Sequence, residues 1–156
     1  MNSRSDILKQ QYNLQQHPEG GWFAEVYTAP FEIEGRPLAG SIYFLLDKDE
    51  ISHFHQIDCD EIWYYHEGCG MKVPILGPNG KEEILLGNEV EKGQRAMVVI
   101  PKGVIFGAEN LSNEGFTFVS CATTPNFTYE GFRLVYKDEI KNNWASYYDD
   151  VEYLAY

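Results

Sequence analysis

Positive charge is scarce in this chain and nowhere concentrated. Twelve Lys and Arg stand against 24 Asp and Glu, a formal net charge of −12, and Arg4, Lys9, Arg36, Lys48, Lys72, Lys81 and Lys92 are scattered singly. Nucleic-acid phosphates and anionic lipid both need clustered cations, so neither is expected as a partner. Cysteine is sparser still. Cys59, Cys69 and Cys121 are an odd number with no C-x-x-C pair, poor material for a disulfide framework or a four-thiolate zinc site. They read as free thiols, packed rather than catalytic.

Long apolar runs are also missing. No stretch approaches the ~20 apolar residues that span a bilayer, and Met1 to Gln11 lacks the apolar centre of a secretory signal. A cytoplasmic protein without membrane contact is expected, which removes the weight of the sequons Asn110-Leu111-Ser112 and Asn126-Phe127-Thr128. There is no internal repeat, low-complexity tract or linker. No gap in the middle of the chain can hold a helix of ten or more residues, which excludes a parallel βαβ architecture. The length of 156 residues, with 44% apolar and 15% aromatic residues, suits one packed core. One domain over 1–156 is expected, its core between about 22 and 136.

What is present is a succession of short segments rich in β-branched and aromatic residues: Trp22 to Tyr27, Leu38 to Leu46, Ile51 to His55, Ile62 to His66, Lys72 to Leu76, Glu83 to Leu86, Arg95 to Ile100, Val104 to Ala108, Phe116 to Cys121 and Phe132 to Tyr136. Turn residues separate them at intervals of about ten, as in Gly77-Pro78-Asn79-Gly80 and Asn113-Glu114-Gly115. That cadence predicts an all-β sandwich or barrel. Ser3 or Ser5 caps a short helix to about Tyr12, which His17-Pro18-Glu19-Gly20-Gly21 ends, and Asp138 to Trp144 reads as a second helix before an aromatic, acidic tail.

The richest chemistry lies between Ser52 and Gly68. Two histidines two apart on a strand, His53 and His55, point to one face. Glu61 follows after a turn, and two imidazoles with one carboxylate suit a divalent metal such as zinc, iron, manganese or nickel. The bland reading leaves both histidines as ordinary strand residues, and Trp63 and Tyr65 as core rather than pocket.

The series His53, His55, Glu61, Gly68 resembles the first motif of the cupin superfamily, and Gly93 with Pro101, Gly103, Phe106 and Asn110 is similar to the second. Two departures stand out. Five residues separate His55 from Glu61 where metal-binding cupins more often have three or four, and Phe106, which has no lone pair, occupies the place of their last histidine ligand. His17-Pro18-Glu19-Gly20-Gly21-Trp22-Phe23, Ser41 to Leu46, Asp60 to Trp63 and Cys121 to Phe127 resemble one branch of small single-domain cupins without a known function, which usually carries Gly where Asn126 stands.

The resemblance implies a double-stranded β-helix, or jelly-roll barrel, with a polar and aromatic pocket, commonly as a homodimer. It implies no settled reaction, because fold is weak ground for chemistry. Three functions follow: a metal-free pocket that binds and isomerises or epimerises a polar metabolite such as a sugar derivative, with His55 as base, Glu61 beside it and Tyr43 or Tyr65 as acid; a metal-dependent, dioxygenase-like enzyme using His53, His55 and Glu61; or a non-catalytic binding module. Glu25, Tyr43, His53, Trp63, Tyr65 and Phe106 are the expected pocket residues.

Overall fold

The computed structural model describes residues Met1–Tyr156. Helix α1 (Arg4–Gln11) begins where the sequence offers a cap. The Ser3 hydroxyl accepts the Asp6 amide N–H and the Asp6 carboxylate accepts that of Ser3, satisfying two donors that a helix start otherwise leaves unpaired.

Thirteen strands follow: β1 (Gln15–Gln16), β2 (Trp22–Thr28), β3 (Glu32–Ile33), β4 (Arg36–Pro37), β5 (Gly40–Leu46), β6 (Ile51–Ile57), β7 (Asp60–Gly68), β8 (Met71–Gly77), β9 (Gly80–Leu86), β10 (Met97–Ile100), β11 (Ile105–Asn110), β12 (Thr117–Thr124) and β13 (Phe132–Leu134). One sheet has the order β1-β2-β5-β12-β7-β10 and the other β13-β6-β11-β8-β9, while β3 and β4 form a separate hairpin. From β5 to β8 and again from β10 to β13 the chain changes sheet at every step, so it winds as a double strand around a common axis. This is a jelly roll, the all-β fold the resemblance implied. The hairpin β8–β9 closes at the Gly77–Gly80 pair around Pro78-Asn79, the turn legible in the sequence.

Alternation along the strands sends Phe44, Leu46, Trp63, Val73, Ile75, Ile100, Phe106, Val119 and Cys121 into the space between the sheets. A second cluster lies outside the five-stranded sheet, where Phe54, Leu76 and Ile105 pack beneath α2 (Lys137–Asn143) and α3 (Tyr148–Val151). The acidic, aromatic stretch from Ser146 is therefore a cover and not a loose tail: Val151 and Leu154 are buried, and Tyr156 donates its amide to the Val135 carbonyl. Helix α1 covers part of the outer face of the six-stranded sheet through Leu8, Leu45 and Phe118, leaving Tyr64, Met97 and Val99 exposed beyond it. No helix is long and apolar enough to cross a membrane. All three cysteines are free; Cys59 and Cys121 are buried, Cys69 partly so.

Candidate functional site

The geometry of the barrel interior turns on one extra residue in β6. Pairing with β11 runs Phe106 to His55 and then Ala108 to Ser52, two steps on β11 against three on β6. Such a bulge reverses the alternation of side chains beyond it. Ser52 and His55 are both buried on the inner side, Phe54 goes to the outer cluster, and His53 leaves the face it was expected to share with His55. Gly107 sits against the bulge, where a Cβ would lie 2.7 Å from the Ser52 carbonyl oxygen. The bulged His53 grips a loop instead. Its backbone N–H and its ring Nδ1–H both donate to the Glu19 carbonyl, at 2.7 and 2.9 Å, and its ring lies 4.2 Å from that of Tyr156.

That loop, His17-Pro18-Glu19-Gly20, joins β1 to β2 across the mouth of the barrel. Gly20 has φ +107° and a Cβ there would lie 2.1 Å from the Ile51 carbonyl oxygen, so only glycine lets the loop come so close. The Tyr156 hydroxyl donates to the Pro18 carbonyl at 2.7 Å. Held from two sides, the loop projects Glu19 inward to a side-chain exposure of 9%.

Glu19 meets His55 there. Its Oε2 lies 3.0 Å from His55 Nε2, and its Oε1 accepts from the Ser52 hydroxyl at 3.1 Å. The other ring nitrogen of His55, Nδ1, is 2.7 Å from the His53 carbonyl oxygen. Both ring nitrogens thus face groups that only accept, which makes the ring a doubly protonated imidazolium. Burial alone would lower the His55 pKa, but the Glu19 charge and hydrogen bond outweigh it and the pKa is raised. Burial alone would raise Glu19, and the His55 charge and hydrogen bond, then His17 and Ser52, hold it below the usual carboxylate range. His17 is different. Burial lowers its pKa, and its Nδ1 accepts the Glu19 amide N–H at 3.2 Å, so the ring is neutral with its proton on Nε2. Phe23, Phe44, Phe127 and Phe132 surround that ring edge-on.

Opposite, on β7, stands Glu61. Burial first, and the Glu19 charge second, push its carboxyl up to about 7, against the lowering effects of His55 and of the Trp63 indole N–H that donates to Oε1. Between these groups lies a cavity of about 90 Å³, room on the order of three water molecules at liquid density. His17, Glu19, His55, Glu61 and Cys121 line its depth, with Phe23, Phe127, Tyr129 and Glu25 toward the opening. The Cys121 thiol is pushed well above its ordinary value by burial and by Glu61 and Glu19, so it stays a thiol and not a nucleophile.

Of the residues expected in this site, His55, Glu61 and Glu25 line the cavity. The others lie elsewhere. Tyr43 faces outward, stacked on Phe118 at 5.3 Å, because β5 alternates Phe44 and Leu46 inward. Trp63 is fully buried core that reaches the site only through its N–H to Glu61, and Tyr65 donates its hydroxyl to the Gly68 carbonyl, so neither tyrosine can supply an acid here. Phe106 is buried against the His55 ring at 4.2 Å, a wall behind the histidine. With both nitrogens engaged, His55 has no lone pair to act as a base.

The same facts decide the metal. His53 is turned away, His55 has no free lone pair, Phe106 has none at all, and no group of three His, Cys, Asp or Glu side chains is arranged to hold a metal ion. The residues present do not fit a divalent ion. Sequence reasoning missed His17 and Glu19, which contribute as much to the cavity as the strands do. Their signal was faint: two polar groups two apart beside Gly20-Gly21, which reads first as a helix stop.

Comparisons with known proteins agree with this fold. The family model described as "Cupin superfamily (DUF985)" matches residues 7–135. Uncharacterized protein YML079W of Saccharomyces cerevisiae is 26% identical over 151 residues, covering 84% of this chain and 75% of that protein. The crystal structure of protein SO0799 from Shewanella oneidensis superposes with a TM-score of 0.92 at 32% identity, over 100% of this chain and 99% of that one. A hypothetical protein from Leishmania major gives 0.91 at 25% identity, over 99% of each. Oxalate decarboxylase from Bacillus subtilis matches 89% of this chain and 36% of its own at 19% identity and a TM-score of 0.57, a likeness of fold alone.

Proposed function

We propose, for a chain that belongs to the DUF985 family of the cupin superfamily, that the barrel cavity binds a small polar metabolite and that Glu61 moves a proton on it. One observation carries this reading: two buried carboxyl groups face the same cavity in opposed surroundings, Glu19 held as an anion by His55 and Ser52, and Glu61, without an ionic partner, pushed up to about 7 by burial and by Glu19. Titratable groups whose surroundings drive them apart mark acid and base assignments.

Glu19 is fixed as an anion by His55 and Ser52, so it takes no part in proton exchange near neutrality. Glu61, titrating about 7, is both acid and base there. Neutral His17, with Nδ1 taken by the Glu19 amide, lines the cavity and can donate its Nε2–H without carrying charge. A carbonyl compound placed between them loses a proton from the carbon next to the carbonyl to the Glu61 carboxylate, the oxygen being held by His17. In the enediolate so formed the proton of the adjacent hydroxyl passes to the former carbonyl oxygen and Glu61 returns its proton to the former carbonyl carbon; where the planar enediolate turns over in the cavity, Glu61 returns it instead to the same carbon on its other face. The outcome is a 1,2-isomerisation or an epimerisation, and nothing is consumed.

The test is thermal melting and solvent-deuterium exchange with small hydroxy and amino ketones and aldoses. A ligand at a hundred times its Kd adds about 2.7 kcal/mol of stability. Deuterium should enter the carbon next to the carbonyl in heavy water, and Glu61→Gln should abolish entry while leaving the melt shift. Binding without exchange would make the protein a binding module, and exchange that survives Glu61→Gln would overturn the role of Glu61.

The exposed apolar side chains Tyr64, Met97 and Val99 lie together on paired strands β7 and β10. They support a homodimer through this outer face, and the lack of clustered cations supports a protein that binds neither nucleic acid nor anionic membrane. Sedimentation of the protein and of Val99→Glu checks the first point: a dimer that the substitution splits is expected.

A further inference from the structure

We infer that the metabolite taken by the barrel cavity carries a protonated amine, because the wall offers carboxyl groups without ionic partners, aromatic rings, and no cation for an anion. The inference rests on the reading of the cavity as a ligand site and adds the class of ligand.

None of the 17 residues around the cavity is Lys or Arg, although the chain has 12 of them. The one fixed cation, His55, already faces Glu19 and has no N–H left to offer. Glu25 at the opening and Glu61 in the depth are in none of the salt bridges of the chain. Glu61 is moreover 8% exposed, a carboxyl kept from water with no basic partner. A phosphate or carboxylate ligand entering here meets two acidic groups without ionic partners and only neutral donors, such as His17, Thr28 and Asn126, with no free cation among them. Nucleotide sugars and other anions are thereby disfavoured.

A positive charge is treated in the opposite way. It lies between Glu25 and Glu61 and against the rings of Phe23, Phe127 and Tyr129, whose faces attract cations. A bare metal ion is the wrong cation, since no three side chains are arranged to hold one and much of the wall is aromatic. A compact organic ammonium fits both the rings and the acids. Its charge beside Glu61 also favours the carboxylate form, so the ligand turns Glu61 into a base as it binds.

Three probes of one shape isolate the charge: tert-butylammonium, tert-butanol and pivalate. Their affinities for the intact protein are measured by nuclear magnetic resonance titration at low salt. The ammonium is expected to bind about tenfold or more tightly than the alcohol, and pivalate not at all. Glu61→Gln is close to isosteric, and Glu25→Gln sits at the exposed opening where folding is not at stake; each should narrow the gap between ammonium and alcohol. Equal binding of ammonium and alcohol, preference for pivalate, or an ammonium preference unchanged in both variants would overturn the inference. So would the absence of ammonium binding, and in that case a neutral sugar that still shifts the melt would leave the ligand site itself standing.

Discussion

Glu19 Oε2 and His55 Nε2 face each other at 3.0 Å inside the barrel, and the second nitrogen of the ring is held by the His53 carbonyl. The pair is a buried salt bridge whose histidine has no further valence. It shapes the charge of the cavity and does not itself exchange protons.

Breaking the pair from one side should be severe. Glu19→Gln leaves the imidazolium without its counter-charge, and removal of one partner of a buried pair costs about 3–5 kcal/mol. Denaturant unfolding should register that loss, and ¹⁵N spectra should show His55 turning neutral at pH 7. A stable variant with the ring still doubly protonated would contradict the assignment.

Stability should fall as pH rises through neutrality. Glu61 binds its proton more tightly folded than unfolded, so stability is lost between the ordinary carboxyl range and about 7. The size is on the order of 3 kcal/mol. His55, raised on folding, adds stability that is full below its unfolded pKa of about 6.5 and is lost as pH passes its folded value. Both slopes have one sign. His17, lowered by burial, opposes them below its unfolded value of about 6.5, so melts should decline from pH 6.5 to 8.5, and Glu61→Gln should flatten the lower part of the decline.

Tyr156 should act on the site through the loop. Its hydroxyl holds the Pro18 carbonyl and its ring backs His53, so Tyr156→Phe removes one hydrogen bond, about 1 kcal/mol, and Tyr156→Ala removes the stack as well. Shifts in the His17 and His55 ring resonances, small in the first and large in the second, are the expected readout. Loss of stability with unmoved ring signals would limit Tyr156 to packing.

Gly20 and Gly107 should resist alanine. A Cβ at Gly20 meets the Ile51 carbonyl oxygen at 2.1 Å with φ +107°, and at Gly107 it meets that of Ser52 at 2.7 Å. Each substitution should cost about 1–3 kcal/mol, and Gly20→Ala should also weaken ligand binding because it lifts the loop carrying His17 and Glu19. Chemical denaturation and the probe titrations check both.

Much of this molecule was legible in its sequence. The ten strand segments each correspond to a strand, since alternation and turn residues act locally. The ligand geometry was less so, and the reasons are particular. The expectation that His53 and His55 share a face assumed regular alternation, which the β6 bulge cancels. Tyr43 and Tyr65 were placed as pocket walls without knowing the direction of their strands. Glu19 enters the barrel only because His53 and Tyr156, 34 and 137 residues away in sequence, hold the loop, and no local pattern announces such long-range contacts. The short β1, β3 and β4 lack enough residues for a periodic signal.

The most direct test of the account is the titration of Glu61 itself, followed by the ¹³C resonance of its side-chain carboxyl. A midpoint near 7, lowered when tert-butylammonium is added, is the predicted result. A midpoint in the ordinary carboxyl range, or one that ignores Glu19→Gln, would leave Glu61 a simple buried anion and remove the proton transfer assigned to it.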